Sequence, residues 1–172
     1  MSELPRSGCS PDTICKDEQC VEKLCRAMKA EHGRCFSYLS LGDVEHLSDY
    51  FGTCHLLKDG YLCREGEICT FVAFIVNGRL EIKKNTEFEG KQVVVGIYTR
   101  GAMVGELCIL DNSPRAVTAV AMEDTDLLIL SGENFSKLTA ENPELGVKLL
   151  QGMLFAVSTR LKRSLARLAS IF

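Results

Sequence analysis

Long hydrophobic runs and an excess of positive charge are both missing from this sequence. No apolar stretch approaches the roughly 18 residues that a membrane-spanning helix requires, and the acidic, cysteine-containing N-terminus is unlike a signal peptide. The 172 residues include 20 basic and 23 acidic side chains, for a net charge of −3. No overall positive field therefore attracts nucleic acid or an anionic membrane. We expect a cytoplasmic protein with no membrane segment and no direct binding to DNA.

Histidine is scarce as well, and its placement argues against an enzyme. His32, His46 and His55 are far apart in the sequence and form no His-x-His pair that would hold a catalytic metal in a β-rich fold. No nucleophile stands in a recognisable pattern with an activating base. We therefore predict a protein without enzymatic activity and without a bound metal.

Cysteine, in contrast, is abundant. Five of the nine cysteines lie within the first 35 residues, and four are scattered singly through the rest. The odd number and the missing secretion signal argue against a framework of disulfide bonds. The N-terminal spacing C-x5-C-x4-C-x4-C-x9-C matches no strong zinc or cluster pattern. We interpret the scattered cysteines as small buried residues: Cys54, Cys63, Cys69 and Cys108.

The hydrophobic period changes twice along the chain. Before residue 41 apolar residues recur at helical spacing. From Gly52 to Leu130 the period is close to two, with turn signals about every 8 to 12 residues, which is typical of a sandwich or barrel. Asn77-Gly78 lies between two such strands and predicts a hairpin with a type I′ turn. We predict a mainly β fold in three parts: a cysteine-rich N-terminal helical extension (1–40), a β-rich domain (41–142) and a C-terminal helix (143–172).

The last segment is predicted to be one long helix, from Pro143 to Phe172, with a proline only in its first turn. Its apolar residues step by three or four: Leu150, Leu154, Val157, Leu161, Leu165 and Leu168. This stripe continues beyond the length needed to cover the β-rich domain, and such a stripe usually contacts a partner helix. We therefore expect a homodimer formed through this helix.

The stretch from Gly105 to Ala119 carries the residues best suited to bind a ligand. A helical turn beginning at Glu106 would point free backbone N–H groups at an anion in front of it. Arg115 adds a planar guanidinium that suits the oxygens of a phosphate. Because the carboxylate of Glu106 would repel a phosphate, we expect it to accept hydrogen bonds from a hydroxyl group, such as that of a sugar.

This stretch resembles a motif of a known family. Gly105-Glu106-Leu107-Cys108 followed by Pro114-Arg115-Ala116 is similar to the phosphate-binding cassette of cyclic nucleotide-binding domains. Such domains occur in catabolite-activator-type regulators, protein kinase regulatory subunits and cyclic nucleotide-gated channels. The Glu65-Gly66-Glu67 turn and the spaced glycines around it fit the same family. The resemblance covers roughly residues 40 to 170 and implies a double-stranded β-helix, that is, a jelly-roll-like β-roll.

The resemblance also implies a role for each residue of the motif. Glu106 would hold the ribose 2′-hydroxyl and Arg115 would hold the cyclic phosphate. The backbone N–H groups of Cys108 and Ala116 would complete the phosphate site. On the long helix, Ser158 and Thr159 resemble a hydroxyl pair that contacts adenine in catabolite-activator-type dimers. The expected ligand-binding residues are Gly105, Glu106, Leu107, Cys108, Arg115, Ala116, Ser158 and Thr159. The alternatives are a structural ion pair between Glu106 and Arg115, and two merely exposed hydroxyls on the helix.

The residue after the arginine bears on the choice of nucleotide. In the family a threonine or serine there often accompanies guanine recognition, whereas Ala116 has no hydroxyl group. The resemblance therefore favours cyclic AMP, with cyclic GMP as the other candidate.

Taken as a whole, the resemblance implies a regulatory domain for signal transduction that couples ligand binding to movement of its C-terminal helix. The family's transcription factors carry a helix-turn-helix after this helix, whereas this sequence ends at Phe172. We therefore expect the output to pass through an unknown protein partner. Some relatives hold an iron–sulfur cluster on N-terminal cysteines, so the alternative function is a redox or metal sensor that uses the N-terminal cysteines on the same fold.

Overall fold

The computed structural model describes residues 20–29, 34–88 and 90–170. Within these ranges the helices are α1 (Cys20–Met28), α2 (Leu41–Ser48), α3 (Cys108–Asp111), α4 (Gly132–Glu141) and α5 (Pro143–Ala169), and a 3-10 helix covers Arg34–Phe36. The strands are β1 (Gly52–Leu56), β2 (Tyr61–Cys63), β3 (Phe71–Asn77), β4 (Arg79–Asn85), β5 (Gln92–Thr99), β6 (Met103–Val104), β7 (Thr118–Ala121) and β8 (Thr125–Ser131). Among the helices that the structure describes, none is long and apolar enough to span a membrane.

The strands form two four-stranded antiparallel sheets. One sheet has the order β1-β8-β3-β6, and the other has the order β2-β7-β4-β5. Because the chain crosses repeatedly from one sheet to the other, the two sheets enclose a common apolar core. This architecture confirms the predicted fold class, a β-roll with flanking helices and a long C-terminal helix.

β3 lies at the centre of the molecule and is buried on both faces. Its odd-numbered residues from Phe71 to Ile75 join the core between the sheets, whereas its even-numbered residues from Val72 to Val76 join the core beneath the helices. In the second core the ring of Phe74 lies 5.0 Å from that of Phe36 and 5.6 Å from that of Phe51. β3 therefore connects the β-roll to the N-terminal and C-terminal helices.

The prediction of a hairpin at Asn77-Gly78 is wrong. β3 and β4 belong to different sheets, so the two residues lie where the chain crosses between them. A type I′ turn needs a positive φ at both central residues, but Asn77 remains in β3, paired with Asp126. Gly78 alone has a positive φ, of 91°, and a Cβ there would overlap with Thr125. The long-range packing of β8 thus overrides the local turn signal.

α5 divides into a buried half and an exposed half. It begins at Pro143, where the side chain of Asn142 accepts a hydrogen bond from the backbone N–H of Leu145. Its buried residues end at Met153, and none of the residues from Leu154 to Ser170, all within the described chain, is buried.

The buried half of α5 approaches the 3-10 helix very closely. Gly152 packs against the backbone of Cys35, and a Cβ at this glycine would overlap with the Cys35 carbonyl. The helix is therefore fixed to the N-terminal part of the fold at this point.

Candidate functional site

Arg115 is the one fully buried charged residue in the described chain, with 2% of its surface exposed. Its backbone is fixed to the preceding turn, since its N–H donates to the Glu67 carbonyl at 2.8 Å and its carbonyl accepts from the Gly66 N–H at 2.8 Å. The guanidinium carbon lies 4.4 Å from the ring centroid of Phe71. Nη2 donates to the carbonyl oxygen of Phe71 at 2.9 Å. The loop before β7 therefore holds this side chain in one position inside the β-roll.

The other two guanidinium nitrogens of Arg115 are unsatisfied. Nε and Nη1 are buried and have no hydrogen-bond partner among the described residues. Leaving charged donors buried and unpaired costs several kcal/mol, and native structures rarely tolerate it without a reason. The arrangement suits an anion whose oxygens would accept hydrogen bonds from both nitrogens.

Gly105 makes room beside this arginine. Its φ is +91°, in the region that favours glycine, and a Cβ at this position would overlap with Nη1 of Arg115. The backbone can therefore approach the unpaired nitrogen without a side chain filling the space around it. Gly105 and Arg115, which the sequence analysis expects to bind ligand, are therefore in direct contact.

The helical turn expected from Glu106 directly precedes the regular helix α3, whose N-cap is the exposed Leu107. The backbone N–H of Cys108 donates to the carbonyl of Gly105 at 3.2 Å. This hydrogen bond closes a turn that contains Glu106 and Leu107, and Leu107 already has a helical backbone conformation. A turn therefore begins at Glu106 as expected, and α3 continues from it. The Cys108 N–H, expected to face a phosphate, already has a partner.

Glu106 pairs with the long helix. Its Oε1 lies 3.1 Å from Nη1 of Arg160, and the two side chains are 21% and 30% exposed. Since Arg115 bonds to a backbone carbonyl instead, the alternative of a Glu106–Arg115 ion pair is wrong. Glu106 and Arg115, which are expected to hold the sugar and the phosphate, thus have different neighbours.

Arg160 makes two further contacts with the β-roll. Nη2 donates to the carbonyl oxygen of Met103 at 2.9 Å, and the guanidinium carbon lies 4.5 Å from the ring centroid of Tyr98. The sequence analysis did not include Arg160 among the expected ligand-binding residues. Helical spacing was the available signal, since Ala156, Arg160, Arg163 and Arg167 share one face of α5.

A cavity of about 480 Å³ lies beside Arg160, between α5 and the segment from β5 to β6. Neither Glu106 nor Arg115 is among its lining residues. Its polar and charged lining comes mainly from α5, and Tyr98 and Met103 line the opposite side. The α5 residues that can offer hydrogen bonds are Thr159, Arg160, Arg163 and Arg167. The volume lies within the range of about 300 to 1,000 Å³ that is common for small-molecule sites.

The structure separates the two hydroxyl residues predicted on the long helix. Thr159 lines the cavity, whereas Ser158 is exposed and is not among the lining residues. Adjacent helical residues point about 100° apart, so only one of the two can face the roll. Ala116 is exposed directly after Arg115, and its carbonyl accepts a hydrogen bond from Nζ of Lys84 at 2.8 Å.

The described cysteines are mostly buried thiols. Burial raises the pKa of Cys35 to about 12 and that of Cys63 to about 11, so both stay protonated near neutral pH. Cys54 is buried, as expected, but it is also disulfide-bonded, which the sequence analysis did not predict. Cys9 and Cys15 lie outside the described residues. Within the described residues, no three His, Cys, Asp or Glu side chains are grouped to hold a metal ion.

The comparison with protein families agrees with the motif. Residues 53–142 match the family model described as "Cyclic nucleotide-binding domain". A protein of Rhodopseudomonas palustris that is named as a potassium channel protein is 30% identical over 116 residues, which make up 67% of this chain and 27% of that protein. The chain therefore spans about a quarter of the length of this relative.

Solved structures give the same result for the whole fold. A cyclic nucleotide-binding domain from Methylobacillus flagellatus is 25% identical with a TM-score of 0.79, and the alignment covers 93% of this chain and 88% of that one. The regulatory domain of Toxoplasma gondii PKA, solved with cAMP, is 26% identical with a TM-score of 0.58. That alignment covers 70% of this chain and 45% of the other.

Proposed function

The chain belongs to the family of cyclic nucleotide-binding domains, and on this premise we propose that it senses cyclic AMP and signals the bound state through the position of α5. In this role it is a regulatory domain without catalytic activity. A protein partner that contacts α5 would receive the signal.

The observation that carries the proposal is the buried, unpaired guanidinium of Arg115. The anionic oxygens of a cyclic phosphate would accept hydrogen bonds from Nε and Nη1, which have no partner among the described residues. The missing side chain of Gly105 leaves the room that Nη1 itself occupies, so the guanidinium can lie against the backbone of the motif. Ligand binding thus replaces an uncompensated buried cation with charge-assisted hydrogen bonds, which are stronger in the low dielectric of the β-roll than in water.

Glu106 is suited to the sugar of the same ligand. Its Oε1 is paired with Arg160, and its Oε2 is the atom we assign to the ribose 2′-hydroxyl. A carboxylate oxygen accepts from a hydroxyl donor. Phosphate and sugar would therefore be held by two adjacent stretches of chain, before α3 and before β7.

The cavity beside α5 supports a nucleotide base at this position. Its volume of about 480 Å³ accommodates a purine, and Thr159 offers a hydroxyl group on its helical side. Ala116 lacks the hydroxyl that often accompanies guanine recognition in the family. The solved relative with bound cAMP is consistent with adenine.

The exposed half of α5 supports the proposal of a homodimer. Four of its leucines are more than half exposed: Leu154, Leu161, Leu165 and Leu168. They follow helical spacings of three, four and seven residues, which is the pattern of a helix that packs along a partner helix. A second copy would cover this stripe and bring two ligand sites into one assembly.

Isothermal titration of ligand-free protein with cyclic AMP and with cyclic GMP tests the proposed function. We expect saturable binding of both, with tighter binding of cyclic AMP. In Ala116→Thr, the added hydroxyl should improve the affinity for cyclic GMP. The difference between the affinities for cyclic AMP and cyclic GMP should then become smaller. Protein that is folded and free of carried-over nucleotide, yet binds neither ligand, would contradict the proposal.

A further inference from the structure

The second half of α5 is strongly basic. Residues 145–170, all within the described chain, contain no Asp or Glu, and four of their five basic residues fall between positions 160 and 167. The chain as a whole is acidic, with a net charge of −3. This part of the helix therefore carries a local positive field that attracts anionic groups.

Two of these cations, Arg163 and Arg167, have no partner among the described residues. Their neighbour Arg160 is paired with Glu106, whereas no side-chain hydrogen bond, ion pair or ring contact joins Arg163 or Arg167 to another described residue. Because they are four positions apart, they lie side by side on the helix, where like charges destabilise it. The described fold therefore leaves the charge of this pair uncompensated.

Both arginines line the cavity between α5 and the segment from β5 to β6. No carboxylate is among the lining residues, and the wall opposite α5 is apolar and aromatic at Ile97 and Tyr98. On α5 the lining runs from Phe155 to Arg167, which spans about 18 Å at 1.5 Å per residue. This length exceeds that of a nucleotide base, so a base near Thr159 leaves the end with the two arginines open.

The exposed leucines of α5 lie on the other side of the helix. At 3.6 residues per turn, Arg163 and Arg167 each lie about 160° around the helix from the leucine two positions earlier, Leu161 and Leu165. A second copy that covers the leucines therefore leaves the arginines free. A flat membrane surface would meet the leucines and would not enter the cavity. Neither occupant accounts for the arginine pair.

The spacing of the two arginines fits an extended acidic segment. Arg163 and Arg167 are separated by about 6 Å along the helix axis, and alternate residues of an extended strand are about 6.6 Å apart. Two carboxylates at alternate positions therefore match the two guanidinium groups, which form bidentate pairs with carboxylates. The residues between them point to the opposite side, toward the apolar wall where Ile97 is about half exposed.

We propose that the arginine end of the cavity, which is the part lined by Arg163 and Arg167, binds an extended segment of the output partner in which Asp or Glu alternates with apolar residues. The carboxylates pair with the arginines, and the apolar side chains contact Ile97. This inference deepens the proposed function by giving the chemistry of the partner that contacts α5, and it rests on that function for the role of the contact. The contact itself requires no nucleotide.

A fluorescent eight-residue peptide of alternating glutamate and valine is the probe. We expect saturable binding to the ligand-free protein in fluorescence anisotropy, and weaker binding as salt rises, because exposed charges are screened. The matched control peptide has glutamine in place of each glutamate and should bind at least about 10-fold more weakly. No binding of the glutamate peptide, or equal binding of the two peptides, would overturn the inference.

Substitutions distinguish the cavity from a general attraction to a basic helix. Arg163→Gln and Arg167→Gln should each bind the glutamate peptide at least about 5-fold more weakly than wild type. Lys162→Gln removes an exposed cation that does not line the cavity, so it should bind as wild type does. Glutamine is a good helix former, and circular dichroism checks that α5 persists. An equal loss in Lys162→Gln and Arg163→Gln would place the binding outside the cavity and contradict the inference.

Two further measurements test the other occupants. Vesicles of phosphatidylcholine and phosphatidylserine should not bind wild type, and Arg163→Gln should sediment as wild type does. Vesicle binding that Arg163→Gln abolishes would assign the arginines to a membrane, and a changed assembly state would assign them to a second copy. Either result overturns the inference. Wild-type protein that binds the peptide but no cyclic nucleotide would support the contact and overturn the proposed function.

Discussion

The two arginines of the site, Arg115 in the β-roll and Arg160 on α5, lie in opposite electrostatic situations. Arg115 is buried, bonds to one backbone carbonyl and has two nitrogens without a partner among the described residues. Arg160 is partly exposed and has a carboxylate, a carbonyl and an aromatic ring as neighbours. An unsatisfied buried group is costly unless a ligand completes it, whereas a satisfied one already stabilises the fold. The first arginine is therefore the centre of the proposed ligand site, and the second attaches α5 to the neighbouring Glu106.

Replacing Arg115 tests whether its two unpaired nitrogens bind the ligand, and this change should have the largest effect on affinity. In Arg115→Met we expect cyclic AMP affinity to fall at least about 100-fold, because two charge-assisted hydrogen bonds worth roughly 1.5 to 3 kcal/mol each are lost. The midpoint temperature of thermal unfolding of the ligand-free variant should rise by about 2 to 4 °C, because an unpaired buried charge is removed. Titration and calorimetry measure both.

Arg79→Met is the control for that experiment, since Arg79 forms an exposed ion pair with Glu123. It should bind cyclic AMP as wild type does. If Arg115→Met bound within a few-fold of wild type, the unpaired nitrogens would have no role in ligand binding.

The glycine beside Arg115 can be tested against a matched glycine. Gly105 and Gly66 have similar φ values, +91° and +86°, but a Cβ at Gly105 overlaps with Arg115 while nothing lies within 4 Å of one at Gly66. Gly66→Ala should cost about 1 kcal/mol of unfolding free energy from backbone strain. Gly105→Ala should cost roughly 2 to 4 kcal/mol and abolish binding, because the guanidinium must move. Urea unfolding measures both free energies. If Gly105→Ala and Gly66→Ala lost the same unfolding free energy, the contact of Gly105 with Arg115 would have no special role.

The exposed leucines lie on α5, the helix that carries Arg160. We expect substitutions at these leucines to change dimer formation without changing the fold of the protomer. Leu165→Glu places a charge in the proposed dimer contact, so we expect the dimer dissociation constant to rise at least about 10-fold in sedimentation experiments. Leu57→Glu changes an equally exposed leucine outside α5 and should not affect assembly. A wild-type protein that sediments as a monomer at all concentrations would contradict the dimer.

The smallest expected effect concerns the attachment of the buried half of α5. Asp43 accepts hydrogen bonds from the Ser40 backbone N–H at 2.8 Å and from Lys148 of α5 at 3.2 Å. The backbone hydrogen bond from Ser40, as the largest cause, lowers the pKa of Asp43 below its usual 3.8. A lowered pKa stabilises the fold above pH 3.8, and this stability is lost as the pH falls through the lowered value.

Asp43→Ala should therefore cost about 1 kcal/mol at pH 7, and the difference from wild type should shrink between about pH 4 and pH 2. Asp49→Ala, an exposed carboxylate after α2, provides the control. Urea unfolding at several pH values measures the difference, and a constant cost down to about pH 2 would exclude the ionised carboxylate as its source.

The features that the sequence predicts correctly depend on local patterns. Gly105 and Arg115 lie in one short motif, and the strands follow from alternating polarity and turn residues. What sequence reasoning missed depends on contacts between distant parts of the chain. Arg160 meets Glu106 only because α5 docks with that face toward the roll, and the same docking places Thr159 at the cavity. The prediction of a hairpin at Asn77-Gly78 was wrong for the same reason, because Asn77 pairs with the distant strand β8.

The close contact of Gly152 with Cys35 gives α5 a pivot. At 1.5 Å per residue, Arg160 lies about 12 Å from this pivot and Ala169 about 25 Å from it. Under the proposed function, the helix is a lever whose short arm ends at Arg160, beside Glu106. A displacement of ~1 Å at Arg160 becomes ~2 Å at the end of the helix, so a small change around one carboxylate is large enough to alter a helix–helix contact.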